Sequence, residues 1–317
     1  MQKLRCGVIG TGRLGNVHCR MYAQSPRSDF IGVYDVNVDA ARRCADKFSV
    51  KAFNSLDGLI DEVDVVSVVV PTSFHYEITK QALQSGIHCL VEKPFTGNVE
   101  EAKELVVLAK KNKLKLQVGH VERFNSAMAA LKRLSPGAPK FVECHRLSPF
   151  PNRSTDVSVV MDLMIHDIDV CHWFINAPLE SCEAVGVEVL TDHVDIANAR
   201  LRFKNGSICD ITASRITDKS LRKIRMFFQH AYASINYKAQ TIDLYTLDGK
   251  KIAKKEIMPQ KIEPLKEEVE SFLDAVINNG QVFVSGEDAL AALITGEKVL
   301  EQIKAHNKAF FDVQKEK

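Results

Sequence analysis

The sequence predicts an α/β chain of two domains: a doubly wound parallel sheet over residues 1–121, and an α+β domain with an open, mostly antiparallel sheet over residues 122–317. Three observations predict this architecture. A glycine-rich turn follows the first apolar run, strand and helix patterns alternate up to about residue 120, and longer strand patterns dominate the remainder. With 317 residues, the chain is long enough to bury two cores.

The glycine-rich turn is Gly10-Thr11-Gly12-Arg13-Leu14-Gly15, between a predicted strand, Leu4–Ile9, and a predicted helix, Leu14–Gln24. In this context the first glycine makes the turn, the second lets the backbone approach a pyrophosphate, and the third lets the helix pack on the strand. The helix N-terminus offers N–H groups and a partial positive charge to the phosphates. The motif therefore predicts a Rossmann domain that binds a dinucleotide through Gly10, Thr11, Gly12, Arg13, Leu14 and Gly15. The alternative is a structural turn without a ligand.

Asp35 directly follows the second predicted strand, Phe30–Tyr34. An acidic residue about 20 positions beyond the glycines binds the ribose hydroxyls in such domains. Its charge repels a 2′-phosphate, so Asp35 favours NAD over NADP as the cofactor. Arg42 and Arg43 would favour NADP, but both lie well inside the following predicted helix.

Further predicted strands, Val63–Val70, Ile87–Val91 and Lys115–Val118, are nearly continuous apolar runs. Such runs are typical of parallel strands covered on both faces, and ligands bind beyond their carboxyl ends. We therefore expect the residues at those ends to converge on one crevice: Gly10, Asp35, Pro71, Glu92 and Gly119. Thr72 and His75, which follow Pro71, are expected to contact the nicotinamide ribose; the alternative is that this turn only caps a helix.

Glu92-Lys93-Pro94 ends the strand Ile87–Val91. A lysine has an ordinary pKa of about 10.4, and desolvation beside an oxidised, cationic nicotinamide disfavours its charged form. Lys93 is therefore a candidate general acid–base, and we expect a cis bond at Pro94 to aim it inward. The alternative is a strand-end lysine paired with a nearby carboxylate.

The predicted helix Val159–Ile175 carries a second set of ionisable groups. At about 100° per residue, Asp162, His166 and Asp169 form one stripe between two apolar stripes. Buried ionisable groups are costly unless they are paired or used, so the stripe predicts a polar cavity in which an acidic neighbour raises the pKa of the imidazole. Two alternatives remain: a core histidine with a structural aspartate, and a metal site. We expect no metal, because no complete ligand set for one cation is evident.

The second domain is predicted from a series of strand candidates, in which Asn205-Gly206 marks a two-residue hairpin. The strand candidates are Lys140–Arg146, Cys182–Leu190, Ile196–Phe203, Ser207–Ser214, Leu221–Gln229 and Ala233–Tyr237. One face of this sheet is expected to carry a helix or two, and the other to form a homodimer or homotetramer, because a single-layer sheet needs cover. The last helices, Pro264–Asn278 and Glu287–His306, are expected to pack back against the first domain.

Composition narrows the class of protein. The formal net charge is +2, which gives no reason to expect nucleic acid or an acidic membrane surface as a partner. No apolar run approaches the roughly 18 residues of a spanning helix, and the first five residues lead directly into a strand, leaving no room for a signal segment. Eight cysteines are scattered without a C-x-x-C pair. We therefore expect a reduced, cytoplasmic enzyme without disulfides or structural zinc.

The glycine motif, Glu92-Lys93-Pro94 and the segment from Asp162 to His166 occur in the order found in Gfo/Idh/MocA oxidoreductases, and the chain resembles that family over most of its length. The resemblance implies a Rossmann domain, a second domain with an open sheet, and a tightly bound nicotinamide cofactor. It also implies Lys93 and His166 at the reacting carbon, with Asp162 in support. Members usually oxidise a secondary hydroxyl of a sugar, cyclitol or related polyol, or catalyse the reverse reduction.

Within that family, the segment Gly119–Asn125 resembles the G-H-x-E-R-F-N-P-A segment of UDP-N-acetylglucosamine 3-dehydrogenase-type enzymes, although Ser126-Ala127 stands where proline-alanine is usual. Its polar residues are expected to reach the substrate or the cofactor; the alternative is that they cap the next helix. The expected substrate contacts are Lys93, His120, Arg123, Asn125, Asp162 and His166. The expected cofactor contacts outside the glycine turn are Asp35, Pro71, Thr72, His75, Glu92 and Lys93.

These observations predict an NAD-dependent dehydrogenase of a nucleotide-linked amino sugar, with Lys93 or His166 as the base. One alternative is a dehydrogenase of the same family that acts on a free sugar, inositol or a diol. An alternative of another class is a non-catalytic, NAD-sensing regulator. Lys93, Asp162 and His166 argue against the regulator, because a sensor needs no proton-transfer groups.

Overall fold

The computed structural model describes residues 2–134, 136–150 and 157–315. The chain forms two compact units. The first comprises Met1–Phe124 and Glu263–Leu290, and the second comprises Asn125–Ile262 and Ala291–Lys317. The first unit therefore includes the predicted helix Pro264–Asn278, whereas most of the predicted helix Glu287–His306 belongs to the second unit.

The strands of the first unit are β1 (Leu4–Ile9), β2 (Ser28–Tyr34), β3 (Lys51–Ala52), β4 (Val65–Val68), β5 (His88–Val91) and β6 (Leu116–Val118). The strands of the second unit are β7 (Phe141–Leu147), β8 (Leu179–Val187), β9 (Ile196–Phe203), β10 (Ile208–Ser214), β11 (Leu221–Phe227), β12 (Ala231–Asn236), β13 (Thr241–Asp248) and β14 (Lys251–Ile257). The helices are α1 (Arg13–Gln24), α2 (Val38–Phe48), α3 (Leu56–Ile60), α4 (His75–Gln84), α5 (Val99–Lys111), α6 (Ser126–Arg133), α7 (Ile165–Ile175), α8 (Pro264–Ile277) and α9 (Gly286–Lys315).

The first sheet is parallel, in the order β3-β2-β1-β4-β5-β6, which confirms the predicted doubly wound sheet. The central strand β1 pairs with β2 on one side and β4 on the other, so the chain changes direction across the sheet at this point. All four residues of β4 are buried, as expected for a strand covered on both faces. Gly10, Asp35, Glu92 and Gly119 follow strands β1, β2, β5 and β6 at their carboxyl ends.

Helix α8 contributes to the core of the first unit. Its side chains Val269, Phe272 and Leu273 are buried in the same cluster as Val8 and Tyr22. The edge strand β3 was not predicted, since it has only two residues.

The second sheet has eight strands in the order β14-β13-β12-β11-β7-β10-β9-β8. Only β7 and β10 pair in parallel among the described strands of this sheet, which confirms the predicted open, mostly antiparallel sheet. One face packs on α6 and α7, where Met128 and Ile168 share a buried cluster with Ala199 and Ile211. The predicted Asn205-Gly206 turn joins β9 to β10, with Gly206 at φ +86°.

Two features of the second unit differ from the prediction. Strands β13 and β14 were not predicted, and the helix predicted over Val159–Ile175 begins with a π-helical turn, Val160–Met164.

No helix of the described residues is long and apolar enough to cross a membrane.

Candidate active site

The glycine turn between β1 and α1 has a backbone conformation and a close packing that leave no room for side chains at Gly10 and Gly15. Gly10 lies at φ +94°, and a Cβ atom there would lie 2.2 Å from the carbonyl oxygen of Val69. A Cβ atom on Gly15 would lie 1.9 Å from the Gly10 oxygen, so α1 packs directly on the turn. Apart from chain neighbours, no described residue places a heavy atom within 4 Å of the equivalent point at Gly12.

The backbone N–H groups in the first turn of helix α1 are not capped by a side chain. In the described structure it has no side-chain cap and no acidic residue in that turn, whereas α2 and α5 are capped by Asn37 and Asn98. Unpaired N–H groups at a helix N-terminus, beside open space over Gly12, fit a phosphate group. The turn therefore fits the pyrophosphate of a dinucleotide.

Asp35 lies directly after β2 and holds this turn. Its Oδ2 accepts hydrogen bonds from the Thr11 backbone N–H at 2.6 Å and from Thr11 Oγ1 at 2.9 Å. Its Oδ1 accepts from the Asn37 N–H at 2.8 Å. The half-buried carboxylate is thus fixed beside the turn, where it is suited to accept ribose hydroxyls. Arg42 and Arg43 are exposed on α2.

The segment after β4 gives its predicted contact residues different environments. Pro71 is exposed, and the half-buried Thr72 begins a short 3₁₀ turn. His75 is buried, with its ring nitrogens 2.9 Å from the Val70 oxygen and 2.8 Å from the Pro94 oxygen, and its burial lowers its pKa. Because both nitrogens face backbone carbonyls, this geometry supports a structural contact of His75 with Pro94 rather than a contact with the ribose.

Glu92-Lys93-Pro94 follows β5, and the Lys93–Pro94 bond is cis, as predicted. Lys93 is half-buried, whereas Glu92 is 7% exposed. Glu92 Oε2 accepts a hydrogen bond from the Lys93 backbone N–H at 3.1 Å, and Oε1 lies 3.0 Å from His18 Nε2. Burial raises the pKa of Glu92, but the hydrogen bond from His18 and the charges of His18 and Lys93 lower it overall.

His18 is a residue of this site that the sequence pattern did not reveal. It is fully buried on α1, and its Nδ1 lies 3.1 Å from Ser67 Oγ, which in turn lies 2.8 Å from the Tyr22 hydroxyl. Two signals in the sequence could have indicated it. His18 comes three residues after Gly15 on the apolar face of α1, and Ser67 interrupts an otherwise apolar strand.

The segment after β6 carries three of the expected substrate contacts. His120 and Arg123 are buried in the first unit, and Arg123 Nη1 lies 3.4 Å from Asp288 Oδ1. Asn125, in the second unit, caps α6 by accepting from the Ala127 N–H at 3.1 Å, and donates to the Tyr237 carbonyl at 3.0 Å. This geometry supports structural roles for Arg123 and Asn125, which is the alternative expected for this segment.

Asp162 and His166 lie at the start of the helical segment of the second unit. Asp162 belongs to the π turn and His166 is the second residue of α7; both are half-buried, whereas Asp169 is fully buried. A π turn is wider than an α turn, so the predicted α-helical spacing does not apply between Asp162 and His166, whereas His166 and Asp169 both lie in α7. Such turns occur frequently at functional sites.

Two buried arginine–carboxylate pairs fix the surroundings of this segment. Arg146 binds Asp167 of α7 through two hydrogen bonds of 2.8 and 2.9 Å. Arg215 donates from Nε to Asp195 at 2.7 Å and from Nη1 to the Val157 carbonyl at 2.7 Å. The second pair therefore holds the backbone just before the π turn.

Family models match both parts of the chain. The model of the NAD-binding Rossmann domain of the Gfo/Idh/MocA oxidoreductases matches residues 4–120, and the model of the family's C-terminal domain matches residues 124–233. The chain belongs to the Gfo/Idh/MocA oxidoreductase family. The first unit is therefore an NAD-binding Rossmann domain, and the resemblance seen in the sequence is confirmed.

Relatives of this Gfo/Idh/MocA oxidoreductase include sugar and inositol dehydrogenases that match it over most of both chains. A UDP-N-acetylglucosamine 3-dehydrogenase of Acidithiobacillus ferrooxidans is 39% identical over 303 residues, which are 93% of this chain and 96% of the relative. Its solved structure superposes with a TM-score of 0.93 at 38% identity, covering 96% of this chain and 99% of the other. A myo-inositol 2-dehydrogenase of Thermotoga maritima is 27% identical over 315 residues, 92% of this chain and 94% of the relative.

A levoglucosan dehydrogenase in complex with NADH shares the fold, with a TM-score of 0.87 at 18% identity over 96% of this chain and 98% of the other. The family models identify this chain as an oxidoreductase with an NAD-binding domain.

The first unit of the oxidoreductase thus brings together two groups of residues. One is the glycine turn with Asp35, and the other is Glu92 and Lys93 with His18 and His75. The second unit brings together Asp162 and His166. Within the ranges that the structure describes, no group of three or more His, Cys, Asp or Glu side chains is arranged to hold a metal ion.

Proposed function

We propose that this enzyme oxidises the C3 hydroxyl of UDP-N-acetylglucosamine to a ketone, with NAD as the acceptor. The observation that carries the proposal is the 39% identity to a UDP-N-acetylglucosamine 3-dehydrogenase over 93% of this chain. The match includes nearly the full length of that relative, whereas the inositol dehydrogenase of similar coverage is 27% identical. The Gly119–Asn125 segment supports the same substrate.

We propose that the glycine turn, from Gly10 to Gly15, holds the pyrophosphate and that Asp35 accepts the adenosine ribose hydroxyls. The fixed carboxylate of Asp35 favours NAD over NADP by charge repulsion. Pro71, Thr72, Glu92 and Lys93 complete the proposed cofactor contacts. NAD held by these residues would supply the hydride acceptor for the substrate carbon.

The proton of the substrate hydroxyl goes to Lys93 or to His166 in this proposal, and Asp162 supports the base. Lys93 is half-buried with its backbone anchored on Glu92, and His166 is half-buried four residues after Asp162. A positioned lysine or histidine is suited to this transfer. Hydride and proton together account for the two hydrogens lost by the alcohol. His120 is kept as a proposed substrate contact.

The test is formation of NADH from NAD, followed by absorbance, with UDP-N-acetylglucosamine and a carbonyl trap such as hydroxylamine. Parallel reactions contain free N-acetylglucosamine, glucose or myo-inositol. Turnover with the nucleotide sugar alone is expected. Turnover only with a free polyol would mean that the proposed substrate is wrong, whereas the NAD-linked oxidation of a hydroxyl group would stand. NAD binding without turnover on any of these compounds would favour the NAD-sensing regulator.

The catalytic assignment is tested with Lys93→Met, which is expected to reduce kcat by about 10²- to 10⁴-fold, the usual contribution of a general acid–base. The affinity for NAD, measured by quenching of protein fluorescence, should change less than about twofold. Lys111→Met, at an exposed lysine at the end of α5, is the matched control and should retain activity. Retained turnover in Lys93→Met would show that Lys93 does not carry the proton.

We also propose that the open face of the second sheet forms a homo-oligomer. This face carries an aromatic row across four strands, in which Phe141, Phe227, Tyr232 and Tyr245 follow one another at centroid distances of 5.6, 4.7 and 5.1 Å. Aromatic rows of this kind are suited to bury area at an interface. In light scattering, Tyr232→Glu should lower the particle mass, whereas Val107→Glu, at an exposed position of α5, should leave it unchanged.

A cytoplasmic location is proposed from the cysteines. All eight are free thiols, and the Sγ atoms of Cys19 and Cys44 lie only 3.6 Å apart. The scattered cysteines, without a C-x-x-C pair, support a reducing compartment, in which thiols stay free. Fractionation of cells that produce the tagged protein should place it in the cytoplasm, and its recovery outside that fraction would contradict the proposal.

A further inference from the structure

A chain of buried polar groups runs through the first unit to Lys93. The Tyr22 hydroxyl lies 2.8 Å from Ser67 Oγ, and Ser67 Oγ lies 3.1 Å from His18 Nδ1. His18 Nε2 lies 3.0 Å from Glu92 Oε1, and Glu92 Oε2 accepts from the Lys93 N–H at 3.1 Å. Tyr22, His18 and Ser67 are each at most 1% exposed. Three elements, α1, β4 and the end of β5, are thus joined through side chains.

The donors and acceptors beside Glu92 match when its carboxyl group is ionised. The carboxylate can only accept, so His18 Nε2 donates to it. The other ring nitrogen of His18 lies within hydrogen-bond distance of the Ser67 hydroxyl, which lies within hydrogen-bond distance of the Tyr22 hydroxyl. The contact with Ser67 holds the ring of His18 with Nε2 towards Glu92.

The backbone after β6 approaches the Glu92 carboxylate closely. A Cβ atom on Gly119 would lie 2.9 Å from the Glu92 carboxyl carbon, so the backbone of Gly119 packs against the carboxylate. The titratable groups around it are His18 from α1, His75 from α4 and its neighbour Lys93. Because a buried carboxylate is stable only with partners, the hydrogen bond from His18, the largest of the effects that lower the pKa of Glu92, stabilises its charged form at this place.

We propose that His18 is a positioning residue for the reaction, because it fixes the ionised Glu92 that anchors Lys93. This inference rests on the proposed role of Lys93. The pKa of Glu92 lies below its ordinary range, so the charged form is present above that pKa and is lost as the pH falls through it. Loss of the His18 donor raises this pKa, and the acid side of the rate profile moves to higher pH.

The first test does not depend on the substrate. The pKa of Glu92 is measured in the NAD-saturated protein from the ¹³Cδ shift of labelled glutamate, with Glu92→Gln identifying the resonance. The wild-type pKa should lie below the ordinary value of about 4.3. His18→Leu should raise it by at least about one pH unit. His18→Gln, which retains a donor at Nε2, should keep it low. An unchanged pKa in His18→Leu would overturn the proposal.

The second test separates positioning from a structural role. His18→Leu should reduce kcat at least about tenfold, with the KM for NAD changed less than about twofold, and should move the acid limb of the kcat profile upward. His18→Gln should restore most of the activity. In a Glu92→Gln background, His18→Leu should add less than about a twofold loss, because coupled residues are not additive. Equal losses in both backgrounds would mean that His18 does not act through Glu92.

If His18→Leu does not fold, the pKa of Glu92 is measured in Ser67→Ala instead. It removes one hydroxyl and should raise the pKa of Glu92 by a smaller amount in the same direction; no rise would contradict the proposed chain. If the wild-type enzyme oxidises no tested sugar, the proposed function fails, whereas the shift of the Glu92 resonance still tests the link to His18.

Discussion

The two units bury carboxylates in different ways. In the second unit, Asp167 and Asp195 are paired with Arg146 and Arg215, which remain charged at any physiological pH. In the first unit, Glu92 is paired with a histidine and a backbone N–H. An arginine stays charged and keeps its ion pair, whereas a histidine can change its charge or its tautomer. The titratable pair is the one that lies beside the lysine proposed to react.

The Asp195–Arg215 pair also fixes backbone segments of the second unit. Asp195 accepts hydrogen bonds from the N–H groups of Val189, Leu190 and Thr191 at 2.6 to 3.0 Å, and Arg215 reaches the Val157 carbonyl. The pair therefore closes the β8–β9 connection and the segment before the π turn. We infer that the second unit uses its buried charges for stability, and that the first unit uses Glu92 for the site.

The largest expected effect is that of Arg215→Met. It leaves Asp195 buried without a cation, and breaking such a pair typically costs about 3–5 kcal/mol. The free energy of unfolding, from urea titration followed by circular dichroism, should fall by this amount. Arg222→Met, at an exposed arginine of β11, should change it by less than about 0.5 kcal/mol. A loss below about 1 kcal/mol in Arg215→Met would mean that the Asp195–Arg215 pair does not stabilise the second unit as proposed.

The pH dependence of stability should show the same difference. Burial raises the pKa of Asp195, but its hydrogen bonds from Leu190 and Arg215 lower it to well below its ordinary value. A lowered pKa contributes stability above the ordinary pKa of about 3.9, which is lost as the pH falls below it. Between pH 6 and pH 3, the double variant Asp195→Asn, Arg215→Met should lose less unfolding free energy than the wild type. A parallel decline of the two proteins would contradict this assignment.

The elements that the sequence predicted well are those set by local pattern. Strand β1 was predicted at its observed bounds, Leu4–Ile9, because Gly10 ends a mostly apolar run. Strands β13 and β14 were missed because their side chains are mostly polar and partly exposed. They are strands because each pairs with its neighbour, as in the register of Ile242 with Ile257, and a pairing partner is not visible in a short window.

The candidate site divides in the same way. Glu92-Lys93-Pro94 and the glycine turn are contiguous motifs, so the sequence could identify them. The contact of His18 with Glu92 joins residues 74 positions apart, and depends on where α1 and β5 end in the folded sheet. The π turn at Asp162 was also not predictable, since its hydrogen bonds differ from those of an α-helix without a distinct residue pattern.

The smallest expected effect is that of Tyr22→Phe, at the end of the polar chain most distant from Lys93. The substitution removes one buried hydroxyl that bonds Ser67 at 2.8 Å, and the loss of such a hydrogen bond costs about 1 kcal/mol. Ser67 keeps its contact with His18, so kcat should change less than about threefold and the acid limb should stay in place. A loss of kcat as large as that of His18→Leu, measured at equal stability, would mean that the whole chain, and not the His18–Glu92 contact alone, determines the charge of Glu92. The contrast with the second unit would then extend from one pair to a network of four side chains.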